Sequence, residues 1–199
     1  MKTLAIAIRA ALFTLIVTGI VYPLAVTALA QLMFAHRANG SLIADDKGRI
    51  VGSELIGQAF TNPAYLHGRA SANDYDAANS GGTNLAVTSK KLHDDAAKLD
   101  ATYRADNGLA AAVVIPADAI TRSASGLDPD ISPENAALQV ARIAKARGVT
   151  PERVQAIIDG AAAGRDLGVL GEPHVDVLDV NLALDRSFGA PPSALTIPP

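Results

Sequence analysis

The apolar residues of this chain form one uninterrupted N-terminal run, followed by a longer stretch in which apolar and polar positions are mixed. From Ala10 to Phe34 there is no charged residue. About 20 apolar residues suffice to cross the roughly 30 Å hydrocarbon core of a bilayer. The run therefore predicts a transmembrane helix over 10–34.

Two other interpretations of this run are open. A cleaved signal peptide would use the small-x-small site Ala28-Leu29-Ala30, although the run exceeds the roughly 7–15 apolar residues of a signal sequence. A buried core helix would rarely lack polar residues on every face. In the transmembrane interpretation Pro23, after Tyr22, can kink the helix, and Thr18 and Gly19 offer surface for packing against another membrane helix.

The next 50 residues read as a hairpin and a loop. Ser41–Ala44 and Arg49–Gly52 predict two short strands around an Asp-Asp-Lys-Gly turn, and Leu55–Phe60 can extend the second strand. Thr61–Asn84 is rich in Asn, Ser, Gly, Ala and Asp and has little periodicity. We expect a long ordered loop there, and such loops are usually functional or disordered.

Helical spacing returns at Thr88–Ala105, and Gly108 is the predicted stop. Val113–Ile115 then predicts a buried strand that ends at Pro116, and a second loop covers Thr121–Ile131.

Two Pro-containing caps follow. The Ser132-Pro133-Glu134 cap begins a helix that runs to Arg147 and stops at Gly148. Thr150-Pro151-Glu152 begins the next helix in the same way, with Val154, Ile157, Ile158 and Ala161 on its apolar side.

The last elements complete a mixed domain. Val175–Val180 alternates apolar and acidic residues and predicts a half-buried strand, and a short helix follows over Asn181–Phe188. Strands and helices interleave, so the fold class is a single N-terminal transmembrane helix plus an extracytoplasmic mixed α/β (α+β) domain. The predicted boundaries are a cytoplasmic tail 1–9, the helix 10–34, the domain 39–188 and a Pro-rich tail 189–199.

Composition and charge narrow the function. The 199 residues contain no cysteine, which excludes disulfides, cysteine-based zinc sites and a lipoprotein anchor. Lys2, Arg9 and the terminal amine give the short tail the stronger positive bias, so it should stay in the cytoplasm, with everything after residue 38 outside. Residues 39–199 hold 14 basic and 20 acidic side chains. This acidic balance makes nucleic-acid binding a poor interpretation.

The residues offer little catalytic machinery. The four histidines are scattered, and the motifs of P-loop ATPases and serine hydrolases are missing. Asp128-Pro129-Asp130 could hold a hard cation or form a capped turn before Ser132. The turn Ser80–Asn84 could cradle an anion or pack on a neighbour, and Arg69 could reach a carboxylate or pack locally. From the residues alone, one candidate is a stand-alone membrane-anchored periplasmic module that binds a small solute.

Several strings, in order from about residue 9 to 186, carry a family resemblance. They are Val21-Tyr22-Pro23-Leu24, Asn39-Gly40-Ser41-Leu42-Ile43, Val51–Phe60, His67-Gly68-Arg69-Ala70-Ser71-Ala72, Ser80-Gly81-Gly82-Thr83-Asn84-Leu85, Ser123–Pro133, Gln139–Arg147 and Gly171–Val175 through to Leu184-Asp185. Together they resemble KdpC, the C-subunit family of the bacterial potassium-transporting Kdp P-type ATPase. Ala70 stands where the family usually has Pro, Leu66 replaces an aromatic residue, Asp130 a His, and Asp176 an Asn.

The resemblance implies an accessory and assembly subunit of a high-affinity potassium-uptake complex. Its partners would be the channel-like subunit KdpA, the ATP-hydrolysing subunit KdpB, the small subunit KdpF and the lipid bilayer. ATP and potassium would act at the level of the complex, because this chain lacks the Asp-Lys-Thr-Gly motif of the phosphorylated subunit. The location would be the bacterial inner membrane, single-pass, with a periplasmic domain.

Two roles are open for such a subunit. One is a catalytic chaperone that raises ATP affinity through a glutamine matching Gln139. The other is a cap on the outer mouth of the channel-like subunit, which we favour because ATP is scarce outside. The resemblance also implies partner contacts in the motif loops, at Arg69, Ser71, Ser80, Gly81, Gly82, Asn84, Ser125, Gly126, Leu127, Asp128 and Pro129. Membrane-helix packing would involve Thr18, Gly19, Tyr22 and Pro23.

Overall fold

A computed structural model describes residues 2–44 and 48–191, and these group into two compact units that divide between Ser53 and Glu54. The turn residues Asp45, Asp46 and Lys47 and most of the Pro-rich tail lie outside the described residues.

The first unit contains one long apolar helix. It consists of α1 (Lys2–Ile16), a π-helical turn (Val17–Val21) and α2 (Tyr22–Ala38). None of its described residues is buried, and its most apolar 18-residue window has a mean hydropathy of 2.3. The helix is long and apolar enough to cross a membrane, and it extends beyond the predicted 10–34 at both ends. The helical dihedral angles are interrupted once near the C-terminal end, at Phe34.

The π-helical turn has a cause in the sequence. Pro23 has no N–H to donate to the carbonyl of Gly19, and its ring crowds that carbonyl. The Tyr22 N–H instead donates to the carbonyl of Val17, five residues back. The chain thus accommodates the proline by widening the preceding turn.

The predicted hairpin is confirmed within the same unit. Strands β1 (Leu42–Ala44) and β2 (Ile50–Ser53) pair antiparallel with a bulge after Ile43. The predicted extension through Leu55–Phe60 is wrong, because β2 ends at Ser53.

The second unit begins without a strand. Its Gly57 N–H donates to the carbonyl of Leu127 at 2.7 Å, so the backbone there pairs with a distant loop and not with a sheet.

Five helices and a small sheet make up the described part of the second unit, residues 54–191. The helices are α3 (Lys90–Asn107), α4 (Ala117–Ile120), α5 (Pro133–Arg147), α6 (Pro151–Ala161) and α7 (Val177–Phe188). The strands are β3 (Asp130–Ile131), β4 (Ala162–Ala163) and β5 (His174–Asp176), in the antiparallel order β3-β5-β4.

The core lies where α5, α6, α7 and β5 meet. Its fully buried members include Leu66, Ile143, Val154, Ile158, Val175, Val180 and Leu184. Val154 and Ile158 are buried as predicted, and Ile157 and Ala161 pack against the same cluster. Removing these side chains from water supplies the main driving force for folding the unit.

The predicted helix ends are confirmed at three places. Ser132 caps α5 by accepting a hydrogen bond from the Asn135 N–H. Gly148 and Gly108 end α5 and α3 with φ of 66° and 64°, a left-handed conformation that glycine adopts without steric cost.

The predicted strand Val113–Ile115 is wrong. Val113 donates its N–H to the Ala110 carbonyl in a turn, and Val114 is 87% exposed. The Arg104 guanidinium holds the carbonyls of Ala110 and Val113 at 2.8 and 3.0 Å. These carbonyls are therefore satisfied by a side chain and need no strand partner.

The predicted strand Val175–Val180 is only half right. β5 ends at Asp176, whose carboxylate accepts from the Asp179 N–H at 2.8 Å and caps α7. The helix therefore begins at Val177, four residues before the predicted start. The alternating pattern predicted too long a strand, because Val177, Val180 and Leu184 also lie on one face of a helix.

Candidate functional site

The family-like strings of the two long loops fold onto each other. Residues 67–84 and 121–131, here named the loop platform, are joined by backbone bonds from Ser123 N–H to the Ala70 carbonyl (2.9 Å) and from Gly81 N–H to the Ser125 carbonyl (2.8 Å). The Ser80 hydroxyl also donates to the Ser125 carbonyl at 2.9 Å. Segments separated by about 50 residues thus form one surface.

The guanidinium of Arg69 joins the first loop of the platform to the second. Its guanidinium forms an ion pair with Asp128 at 2.9 Å and donates to the Thr121 hydroxyl at 3.2 Å and the Arg122 carbonyl at 3.3 Å. The Nε atom is buried and finds no hydrogen-bonding partner within the described part of the chain. Of the two predicted uses of Arg69, reaching a carboxylate is the one observed.

Ser71 organises the first loop from inside. Its buried hydroxyl lies 2.8 Å from the Gly126 carbonyl and accepts from the N–H groups of Asn73 and Tyr75 at 3.2 and 3.0 Å. The Arg122 guanidinium donates to the Ser71 carbonyl. The sequence predicted no role for Asn73, Tyr75 or Arg122. The Asn-Asp pair at 73–74 was the only local signal among them, and it favours a turn.

Two glycines allow the loops to approach closely. A Cβ at Gly82 would lie 2.6 Å from the Ala124 carbonyl oxygen. A Cβ at Gly126, where φ is +71°, would lie 2.1 Å from Asn73 Oδ1 and 2.8 Å from the Gly81 carbonyl oxygen. Side chains at either position would force the loops apart.

The remaining predicted contact residues lie around this junction. Leu127 is buried, the Pro129 carbonyl accepts from the Val177 N–H at 3.1 Å, and Asn84 is exposed with φ of 51°. The exposed faces of Ser80, Gly81 and Ser125 border the solvent. The platform therefore presents small polar groups on a backbone that its own side chains hold in place.

Asp128 and Asp130 form the capped turn of the two alternatives considered. The Asp130 N–H donates to Asp128 Oδ1 at 3.2 Å, and Asp128 Oδ2 accepts a hydrogen bond from the Arg69 guanidinium. Among residues 2–44 and 48–191 no group of three or more His, Asp or Glu side chains could hold a metal ion.

Gln139 lies on the buried face of α5 and binds the backbone of His67, the first residue of the platform. Its amide donates to the His67 carbonyl and to Asn135 Oδ1, both at 3.0 Å. Its carbonyl oxygen accepts from the His67 N–H at 2.8 Å and from Arg142 at 2.6 Å. The side chain is 1% exposed, and all four hydrogen-bonding positions of an amide are in use.

Gln139 has a counterpart on α7. Asn181 accepts from the Leu66 N–H at 2.7 Å and donates to the Leu66 carbonyl at 2.9 Å. The two amides therefore satisfy the backbone of residues 66 and 67 as neighbouring strands would in a sheet. This explains how a segment without secondary structure can run through the core.

Two arginines of α5 hold the segment that precedes Leu66. Arg142 donates to the carbonyls of Pro63 and Tyr65, at 2.7 and 2.9 Å. Arg147 donates to the Ala64 carbonyl at 2.7 Å and pairs with Asp185 at 2.8 Å. Burial lowers the pKa of Arg142 to about 10.

His67 shares this environment. Burial first, and then the nearby Arg142 charge, lower its pKa to about 4. At neutral pH a neutral imidazole faces the guanidinium, so no like-charge repulsion arises there.

The two acidic departures from the family pattern face each other. Asp130 on β3 pairs in register with Asp176 on β5. Burial raises the pKa of both carboxyls, that of Asp176 to about 6, and repulsion from neighbouring carboxylates adds to the effect.

A small recess lies between α3 and the second loop. It has a volume of about 70 Å³ and is lined by Thr83, Leu85, Leu92, Asp95, Ala96, Leu99, Ile120, Thr121 and Arg122. Ligand pockets usually measure about 300–1,000 Å³, so this recess is too small for most metabolites.

The predicted membrane-packing residues lie in the first unit. Thr18 donates its hydroxyl to the Thr14 carbonyl at 2.8 Å, within the π-helical turn region. Gly19 lies in the same turn, and Tyr22 and Pro23 begin α2. All four are exposed to the surroundings of the helix.

Comparison with known proteins places this chain in a family. The family "KdpC: K+-transporting ATPase, c chain" matches residues 4–186. The potassium-transporting ATPase KdpC subunit of Myxococcus xanthus is 53% identical over 195 residues, which cover 97% of this chain and 92% of that protein. The subunits of the same name from Caulobacter sp. (strain K31) and Koribacter versatilis are 51% and 46% identical over 189 and 193 residues, covering 92% and 96% of this chain and 92% and 97% of those proteins. The chain therefore belongs to the KdpC family, the c chain of K⁺-transporting ATPases.

Proposed function

We propose that this chain is the non-catalytic accessory subunit of a potassium-uptake ATPase complex, and that its folded domain caps the outer mouth of the channel-like subunit. Family membership makes it a subunit of the K⁺-transporting ATPase. The observation that carries the proposal is that the family match covers both the apolar helix and the second unit, which is called the folded unit or folded domain from here on. Both parts thus lie within the family match.

The partners in this proposal are KdpA, KdpB and KdpF. The apolar helix packs among their membrane helices through Thr18, Gly19, Tyr22 and Pro23, next to a π-helical turn. Small and hydroxyl-bearing residues let membrane helices approach closely. The loop platform supplies contacts outside the membrane.

The charge distribution supports the orientation in this proposal. Lys2 and Arg9 precede the apolar run on the short tail, which favours a cytoplasmic N-terminus. The folded unit then lies in the periplasm of the bacterial inner membrane. An acidic domain above a cation entrance would raise the local potassium concentration modestly, within the roughly 8 Å over which salt screens charge.

The state of Gln139 supports capping over direct ATP contact. The amide is buried and saturated with protein partners, so binding a nucleotide would require breaking those bonds. We therefore assign Gln139 a structural role in holding His67. ATP and potassium act on the complex, and this chain holds neither in the proposal.

The alternative function is a stand-alone periplasmic module that binds a small solute. It needs a pocket formed by the two long loops. These loops are packed against each other in the platform, and the recess beside them measures about 70 Å³. Both observations speak against this alternative.

An affinity pull-down tests the proposal. The chain, tagged at its C-terminus, is recovered from potassium-starved native membranes in mild detergent, and the eluate is assayed for potassium-stimulated ATP hydrolysis. We expect equal amounts of a P-type ATPase and a channel-like subunit, with activity. Recovery of this chain alone, while the ATPase stays intact elsewhere, would overturn the proposal.

Replacing residues 10–34 with a generic apolar helix separates the two functions. A complex subunit should lose assembly, because its helix packs on specific neighbours. A lone binding module should tolerate the replacement.

A further inference from the structure

The hairpin between β4 and β5 carries Leu167, the most exposed large apolar side chain among residues 54–191. This tip hairpin, residues 164–173, connects β4 to β5. Leu167 is 90% exposed, Val169 72% and Leu170 58%. Single exposed apolar residues are common on protein surfaces, whereas a cluster on one projecting turn marks an interaction site.

The backbone of the tip is strained as well as exposed. Leu167 and Gly168 have successive positive φ values of 53° and 76°, the pattern of a hairpin turn that prefers Asn-Gly or Gly-Gly. The Val169 N–H donates to the Asp166 carbonyl at 3.1 Å, and the Asp166 N–H donates to the Leu170 carbonyl at 2.8 Å. A leucine in this conformation persists only where its surroundings or its function require it.

The base of the hairpin is fixed. Ala162 pairs with Val175 and Ala163 with His174, and Val175 is fully buried in the core. An ion pair between Arg165 and Glu172 spans the two arms. The sheet and the core therefore hold the base of the hairpin in place.

Charge and area indicate what covers the tip. Asp166 and Glu172 outnumber Arg165, so the hairpin lacks the basic residues that bind anionic lipid surfaces. Three aliphatic side chains expose far less than the roughly 1,200 Å² that a stable interface needs. The partner must therefore be held nearby by other contacts, as another subunit of the same complex would be.

We propose that the tip hairpin inserts Leu167, Val169 and Leu170 into an apolar recess on another subunit of the transporter complex. This inference rests on the proposed function, because the membrane helix has to bring that subunit within reach. The tip would then fix the position of the folded domain over its partner.

Leu167→Asn separates this role from a structural one. Asparagine tolerates positive φ better than leucine, so the thermal midpoint of the purified full chain should stay equal or rise. Recovery of the complex in the pull-down should fall about tenfold, as expected for a lost buried leucine contact. Val114→Asn, at a position that is 87% exposed, is the matched control and should change neither quantity. Undiminished recovery with Leu167→Asn would overturn the proposal.

Photo-cross-linking identifies the partner. A photoreactive residue at position 167 should form an adduct with another subunit of the assembled complex, whereas one at position 114 should not. Adducts with lipid, with a second copy of this chain or with nothing, in a complex that assembles normally, would overturn the inference and leave the proposed function intact. If the unmodified chain recovers no ATPase at all, the proposed function itself fails, and the inference fails with it.

Discussion

Side-chain amides of α5 and α7 replace missing strands in this protein. Gln139 and Asn181 bind the backbone of residues 66 and 67 from two helices, so an irregular segment can cross the core without unpaired polar groups. The sequence predicted neither contact, because Gln and Asn are compatible with a solvated helix surface. Only the residues opposite them in the fold explain why amides stand there.

Gln139→Ala should lower the free energy of unfolding by about 3 kcal/mol, because it leaves buried partners without hydrogen bonds. Urea unfolding followed by circular dichroism measures this, since the chain has no tryptophan. Gln155→Ala is the control, because the side chain of Gln155 donates to Asp159 in an exposed hydrogen bond at the surface of α6. Unchanged stability together with a weaker ATP affinity of the complex would favour the nucleotide role instead.

Asp176→Asn should stabilise the chain at neutral pH. The folded-state pKa of Asp176 is about 6, above its ordinary value of 3.8, so its contribution to stability is present at low pH and is lost as pH rises through 6. Asparagine keeps the helix cap and removes the charge opposite Asp130.

We expect the variant to match the wild type near pH 4 and to exceed it by about 1–2 kcal/mol at pH 7, after allowance for solvent screening. Urea unfolding at several pH values measures the difference. Asp159→Asn, on exposed α6 surface, should keep the wild-type profile. A constant difference at all pH values would contradict the prediction.

At the scale of elements, local sequence signals predicted helix ends correctly where a capping residue was present. The Ser132, Gly108 and Gly148 signals mark the observed helix ends, because capping depends on neighbours within one turn. Strand predictions failed at Val113–Ile115 and Val177–Val180. A strand needs a partner from elsewhere in the chain, and Arg104 and the Asp176 cap removed the need for one.

Ser132→Ala should lower stability by about 1–2 kcal/mol, because Ser132 accepts from Asn135 N–H and donates to Asp118. Thr150→Ala is a matched control: it stands in the same motif before α6 but accepts no cap hydrogen bond from the helix. We expect a loss of a few tenths of a kcal/mol there. Equal losses would show that the motif, and not the observed bond, sets the stability.

At the scale of the molecule, the loop platform joins strings that are 50 residues apart. The sequence predicted both loops and expected the first of them to be ordered, and the family resemblance pointed to most of their residues. Neither showed why Ser, Gly and Gly stand at positions 71, 82 and 126. The reason is the close contact between the two loops at these positions. The platform's exposed groups therefore form a surface, while most of its other marked residues hold that surface in shape.

Gly126→Ala should separate the two loops and lower stability by about 3 kcal/mol, because it combines a positive φ with a clash. Recovery of the complex should fall with it. Gly160→Ala, in α6 with nothing within 4 Å, should instead gain about 0.5–1 kcal/mol and leave recovery unchanged. Normal assembly of a Gly126→Ala chain would show that the platform is not a docking surface.

The sequence by itself determined the apolar helix, the hairpin, the caps of α5 and the family. These depend on runs of composition, on contacts within one turn, or on ordered strings. The tertiary structure alone decided that α7 begins at Val177, that the two loops form one surface, that Gln139 is buried, and that Leu167 is exposed at a strained turn. These features depend on burial and on contacts between distant residues, which folding creates and local patterns do not contain.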